Sequence, residues 1–181
     1  MSKPVSKALP SRHPATIARG LQTISRRTLP LFVRVAADPA YVSRLAASIQ
    51  AKNFSRTERL LLQCVPGGSV SVGAGFGVGF TLGDTIFEDG IFRPGRLVRA
   101  ADLRAVSRTM LPLLRKLAVS RRFARNVAKL YLQRKQGGLL QLVRRIVPAQ
   151  RIRSAGIDQY GFHFVVRLPN GANYNFIFGI E

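Results

Sequence analysis

The sequence predicts an α+β protein: an internal duplication of a three-helix plus β-hairpin unit, with the two hairpins forming a shared antiparallel sheet packed by the helices. Three observations lead there. The stretch LQTISRRTLPLFVRVA, Leu21 to Ala36, returns 82 positions later as LRAVSRTMLPLLRKLA. In each copy apolar residues recur at helical spacing up to a Val-Pro pair, Val65-Pro66 and Val147-Pro148. Beyond each pair the period falls to two, the period of a strand.

The repeat weighs most, because a missed repeat miscalls the whole fold. Without gaps, identities fall at Leu21/Leu103, Ser25/Ser107, Arg26/Arg108, Leu29/Leu111, Pro30/Pro112, Leu31/Leu113, Ala36/Ala118 and Ala46/Ala128, and again at Leu60/Leu142, Val65/Val147, Pro66/Pro148, Gly79/Gly161 and Phe80/Phe162. That is 13 matches over residues 21–82, where ordinary residue usage supplies roughly 4 to 5. A copy of about 80 residues is near the lower limit for a core of its own, so the two copies are expected to share one. The resulting division is a flexible basic arm over 1–19, a first unit over 20–95 and a second over 96–181, packed as one globular domain.

In chain order, Pro4, Pro10 and Pro14 among Ser and Lys mark the arm. Leu21, Ile24, Thr28, Leu31 and Val35 then form a helical stripe, with Gly20 as its cap and Asp102 at the matching cap of the second copy. Pro30 and Pro112 fall inside these patterns and predict a kink or a split. The second helices begin at Asp38-Pro39 and at Ser120, a capping side chain with proline following in the first case. Tyr41, Leu45 and Ile49 answer Phe123, Val127 and Tyr131 as buried faces. The third helices begin at Ser55, with Glu58 completing a capping box, and after Gly137-Gly138. Residues 69–83 alternate apolar and small side chains as one strand, and Gly83-Asp84 turns it into a second strand, Thr85 to Phe92. The later hairpin runs Gln159 to Arg167, Leu-Pro-Asn-Gly, then Asn173 to Ile180.

Composition narrows the function. Hydrophobic residues at 46% exclude a disordered chain, yet 29 Lys and Arg face 8 Asp and Glu, for a net charge of +21. Repulsion on that scale costs stability, and such fields serve association with polyanions. The excess is uneven: residues 1–95 carry 12 cations and 5 acids, residues 96–181 carry 17 and 3. The second unit is therefore the expected polyanion-facing half. Its candidate contacts are Arg104, Arg108, Arg115 and Lys116 on the first helix, and Arg121, Arg122, Arg125 and Lys129 on the second. Arg134, Lys135, Arg144, Arg145, Arg151 and Arg153 continue the charge toward the hairpin. Guanidinium forks suit phosphate, and phosphate contacts give affinity without sequence choice. The expected protein is thus a non-enzymatic nucleic-acid-binding protein. The alternatives are a structural protein assembling on an anionic cell or spore surface, and a cationic protein lying on anionic lipid.

Other chemistry is weakly represented. GAGFGVG does not satisfy the dinucleotide fingerprint, and no helix follows it to receive phosphate. A strand stripped of side chains on one side suits close packing first and self-assembly into a homo-oligomer second. Leu60 to Gly83 is uncharged, but Pro66-Gly67-Gly68 interrupts it and the matching stretch of the second copy holds five charges, so no transmembrane segment is expected. Tyr160, Phe162, Phe164, Tyr174, Phe176 and Phe178 resemble a base-stacking platform, and equally the inner face of a covered sheet. His163 reads as structural, Asp84, Glu88 and Asp89 as turn chemistry, and the single Cys64 as a small buried hydrophobe in a reducing, cytoplasmic setting. No paired carboxylates or activated nucleophile are visible, and no cofactor or small-molecule substrate is expected.

Overall fold

The computed structural model describes residues 13–93 and 97–180. Three helices, α1 (Pro14–Ala37), α2 (Pro39–Gln50) and α3 (Phe54–Leu62), lead into three strands, β1 (Ser69–Val72), β2 (Gly75–Leu82) and β3 (Thr85–Phe92). The same order returns in α4 (Ala100–Val119), α5 (Arg121–Leu132) and α6 (Gln136–Arg144), followed by β4 (Ile152–Asp158), β5 (Gly161–Arg167) and β6 (Asn173–Ile180). The architecture is α+β, as expected.

Local chemistry sets the helix ends. α1 starts six residues before the expected Gly20: His13 is the cap, its Nδ1 accepting from the Ala15 N–H, and Pro14 opens the first turn. Part of the expected arm is therefore helix, while residues 1–12 lie outside the described residues. Gly20 instead sits buried mid-helix, where a methyl group would overlap the ring of Phe87. Neither proline splits its helix; α1 and α4 each run through as one element. Asp38 and Ser120 cap α2 and α5 as expected, each accepting from the N–H three residues on. α3 is capped by Asn53, whose Oδ1 accepts from Arg56 N–H, and not by Ser55. Asp102 is not a cap either: it lies in the first turn of α4, after Arg99, and is buried.

The ends of α2 and α5 share one device. Lys52 N–H donates to Ile49 and Asn53 N–H to Ser48; Arg134 N–H donates to Tyr131 and Lys135 N–H to Leu130. This is the Schellman pattern, which needs a left-handed residue after the cap. Lys52 and Arg134 supply it, both at φ 52°.

All six strands form one antiparallel sheet in the order β1-β2-β3-β6-β5-β4. Both expected hairpins are present, and each carries an extra outer strand. The run read as one strand over 69–83 breaks at Gly73-Ala74 into β1 and β2, and β4 precedes the second hairpin. The alternation divides the sheet faces: Phe76, Val78, Phe80, Phe87, Ile91, Phe162, Phe164, Tyr174, Phe176 and Phe178 are buried against the helices. Phe32 of α1 reaches both halves of this layer, with ring centroids 6.0 Å from Phe76 and 5.2 Å from Phe176. The aromatic rows are thus the inner face of a covered sheet and not a stacking platform; of the six rings named above only Tyr160, in a turn, is exposed.

Helix α1 packs most extensively against α4, and two long-range bonds fix their register: Arg26 Nε donates to the Ala118 carbonyl at 2.7 Å and Arg108 Nε to the Ala36 carbonyl at 3.0 Å. The pair is antiparallel, and the midpoint of both bonds is Leu31 on α1 and Leu113 on α4, both buried.

Candidate functional site

The cations of α5 stand out first. Phe123, Ala124, Val127, Ala128 and Tyr131 turn into the core, so Arg121, Arg122, Arg125 and Lys129 are left on the solvent side, all exposed. On α4, Arg115 and Lys116 are exposed near the C-terminal end, and Arg104 is half-buried. Arg153 is exposed on β4, and Arg151 is half-buried in the 3-10 turn Ala149–Arg151 that leads into it.

Four candidates also serve the fold. Arg108 anchors the end of α1, as above. Arg144 donates from Nε and Nη2 to the Ile152 carbonyl, at 3.2 and 2.8 Å, and from Nη2 to the Arg153 carbonyl at 3.3 Å, tying α6 to β4. Arg134 supplies the left-handed residue after α5, and Lys135 next to it stands at the cap position of α6.

Among the described residues, ion pairs are confined to Arg34–Asp38, Arg93–Asp102 and Arg99–Asp102, so none of the fourteen candidate cations has a carboxylate partner there. Two of them meet in one place: Lys129 and Arg145 line a groove of about 300 Å³ between α5 and α6. Asn126, Leu130 and Gln133 share its α5 wall with Lys129, while Gly138, Gln141 and Leu142 share its α6 wall with Arg145. Each wall follows the spacing i, i+3, i+4, i+7, one helical face. The amides were not anticipated, since a charge-based reading passes over neutral side chains.

Two carboxylates are buried within the fold. Asp89, expected in a turn cluster with Asp84 and Glu88, points inward instead and is fully buried beside Thr28, 2.6 Å from its hydroxyl. That hydroxyl also lies 2.9 Å from the Ile24 carbonyl and has one proton to give. That proton serves the Asp89 carboxyl or the Ile24 carbonyl but not both at once, and Asp89 Oδ1 is buried with no hydrogen-bond partner among the described residues. Burial pushes the Asp89 carboxyl well above the usual range, against the Thr28 bond and with help from the Glu88 charge. Asp102 joins a second buried set, accepting from Tyr174 Oη and Asn170 Nδ2, both at 2.9 Å, beside Arg93 at 3.6 Å. Burial, then the bond to Asp102, raises the Tyr174 phenol.

The sheet face away from the helices carries Gly77, Glu88, Gly90, His163, Ile177 and Gly179. Ser71 arches over Gly77 to donate to Glu88, leaving no room for a side chain there. The crowding comes from side chains of the same sheet, whereas the glycine run was expected to admit another backbone, sheet or helix. Glu88, Asp158, Tyr160 and His163 border a shallow cleft on this face. No group of three metal-ligating side chains forms among the described residues. Cys64 is half-buried, 3.7 Å from the Tyr41 hydroxyl, and accepts from Arg34 at 3.6 Å. No described helix is long and apolar enough to cross a membrane.

The chain matches no protein-family model, no curated protein and no solved structure.

Proposed function

We propose that this is a non-enzymatic binding protein for a polyanion, nucleic acid in the first place, held through phosphate contacts by the arginine-rich helices of the second half. The observation that carries the reading is the exposed row Arg121, Arg122, Arg125 and Lys129 on α5, without a single carboxylate partner among the described residues. A solvated helix face ordinarily interleaves its charges; this one leaves them uncompensated, and an outside anion supplies the balance. The site reading extends to Arg104, Arg115, Lys116, Arg145, Arg151 and Arg153, with Arg108, Arg134, Lys135 and Arg144 adding charge from positions that also serve the fold. A cytoplasmic setting goes with this reading, and a cell or spore surface with the alternative below.

The same reading includes a duplication. Its support is the offset of 82 that relates α2 to α5 and α3 to α6 end for end, and the left-handed Lys52 to Arg134. The reciprocal bonds Arg26 to Ala118 and Arg108 to Ala36 keep that offset too.

Fluorescence anisotropy with labelled single- and double-stranded oligonucleotides tests the reading. Affinity should fall by orders of magnitude between low and moderate salt, because each neutralised phosphate releases a counterion; no binding at low salt would discard it. The uncovered, glycine-lined sheet face favours a second reading, assembly on an anionic cell or spore surface. Light scattering showing large oligomers in the absence of nucleic acid would support it, and a monomer would count against it.

A further inference from the structure

We infer that the groove between α5 and α6 is a seat for one unpaired nucleotide, a single-strand site set within the cationic surface; the inference rests on the nucleic-acid reading above and sharpens it. A bare phosphate needs cations and nothing else. This groove offers more. Leu130 and Leu142, both half-buried, give it an apolar floor that remains wetted until a flat ligand covers it. Asn126, Gln133 and Gln141 supply amides, which both donate and accept, and none of the three has a side-chain partner among the described residues. Lys129 and Arg145 stand on opposite walls without carboxylate partners. An apolar floor can cover a base face, the amides can pair its edge and the flanking cations can hold its phosphates. A duplex would keep its base faces and edges stacked and paired, and so would leave the leucines and amides unused.

The sequence holds the groove open. Gly138 stands where a side chain would fill it: a β-carbon there would lie 2.9 Å from Leu130 Cδ2. Gly138 lies in the first turn of α6 and leaves that point of the groove without a side chain. In the first half Ser48, the match of Leu130, is buried and bonds Thr57 at 2.9 Å across α2 and α3. Leu130, at the position matching Ser48, stays half-exposed.

The test uses the full chain and two variants that preserve its charge, Gly138→Leu and Gln141→Ala. The first replaces a first-turn glycine and displaces the end of the Leu130 side chain, so circular dichroism and a melting curve check its fold, and Gln141→Ala, which adds no bulk, keeps the test decisive if the first fails to fold. The probes are a short fluorescein-labelled oligothymidylate, an abasic phosphodiester of the same length, and a duplex, all at one low salt concentration. The expected result is that the parent binds the oligothymidylate about tenfold tighter than the abasic chain, from burial of one base face on the leucines and its hydrogen bonds to the amides. Gly138→Leu should erase that preference and Gln141→Ala reduce it, with abasic binding unchanged in both. Equal parental affinity for the two single strands, or a preference untouched by Gly138→Leu, would overturn the groove while leaving phosphate binding intact. Failure of all three probes to bind would overturn the nucleic-acid reading itself.

Discussion

Arg26 of α1 anchors the far end of α4, its Nε donating to the Ala118 carbonyl at 2.7 Å. Ala118 is in the last turn, where carbonyls lack intrahelical donors and the helix dipole favours a cation. Arg108 does the same for α1 at Ala36. Replacing either with Met keeps the stem and removes the charged bond, and should cost about 1–2 kcal/mol of unfolding free energy. Urea denaturation of Arg26→Met and Arg108→Met should show similar losses; no loss in either would mean the bonds are incidental.

The buried Asp89 makes stability depend on pH. Its folded-state pKa is raised, so below about pH 3.9 both folded and unfolded forms are protonated and nothing is lost. Above that the unfolded chain gives up the proton and the folded chain keeps it, so stability falls as pH rises toward the folded pKa, by up to about 1.4 kcal/mol per pH unit. Asp89→Asn keeps an acceptor for Thr28, does not titrate and has no such slope. The variant should match the parent near pH 4 and exceed it at pH 7 by urea denaturation. A parent that gains on the variant between those values would reverse the sign.

Around Asp102 the expectation runs the other way. Asp102→Ala leaves Arg93, itself 7% exposed, buried beside Tyr174 with no carboxylate, and should cost about 3–5 kcal/mol. Asp102→Asn, which retains the shape and an acceptor for Tyr174, should cost less. Equal losses in the two would assign the effect to the charge, which both remove, and not to the shape and acceptor that only alanine removes.

Left-handed Lys52 and Arg134 carry a steric cost that glycine avoids. Lys52→Gly and Arg134→Gly should each raise stability by about 0.5–1 kcal/mol, measured as a shift in thermal midpoint. Since Arg134 is also a candidate phosphate contact, its glycine variant should bind nucleic acid slightly less well while melting higher.

Much of this was legible in the residues. The capped starts at Asp38 and Ser120, both hairpin turns and the inward aromatic rows follow from short-range rules that side-chain type fixes locally. Gly20 misled because glycine at a helix cap and glycine under an aromatic ring look alike until the partner, Phe87, is known to lie 67 positions away in sequence. The break at Gly73-Ala74 was hidden because alternation continued through it, and Asp89 read as a turn residue because nothing local reveals that Thr28 waits above it. Of the site, the exposed row on α5 was readable as the complement of its buried face. The groove was not, since it depends on Gly138 and on neutral amides brought together by the turn at Arg134.

The central claim is best tested by measuring binding of a labelled oligonucleotide against salt concentration, for the parent and for a chain with Arg121, Arg122, Arg125 and Lys129 all changed to Gln. The parent should give a steep linear fall of log affinity with log salt. The variant should bind more weakly, with a slope shallower by about 0.7 for each single-strand phosphate that it no longer neutralises. The same slope and affinity in both chains would contradict the account.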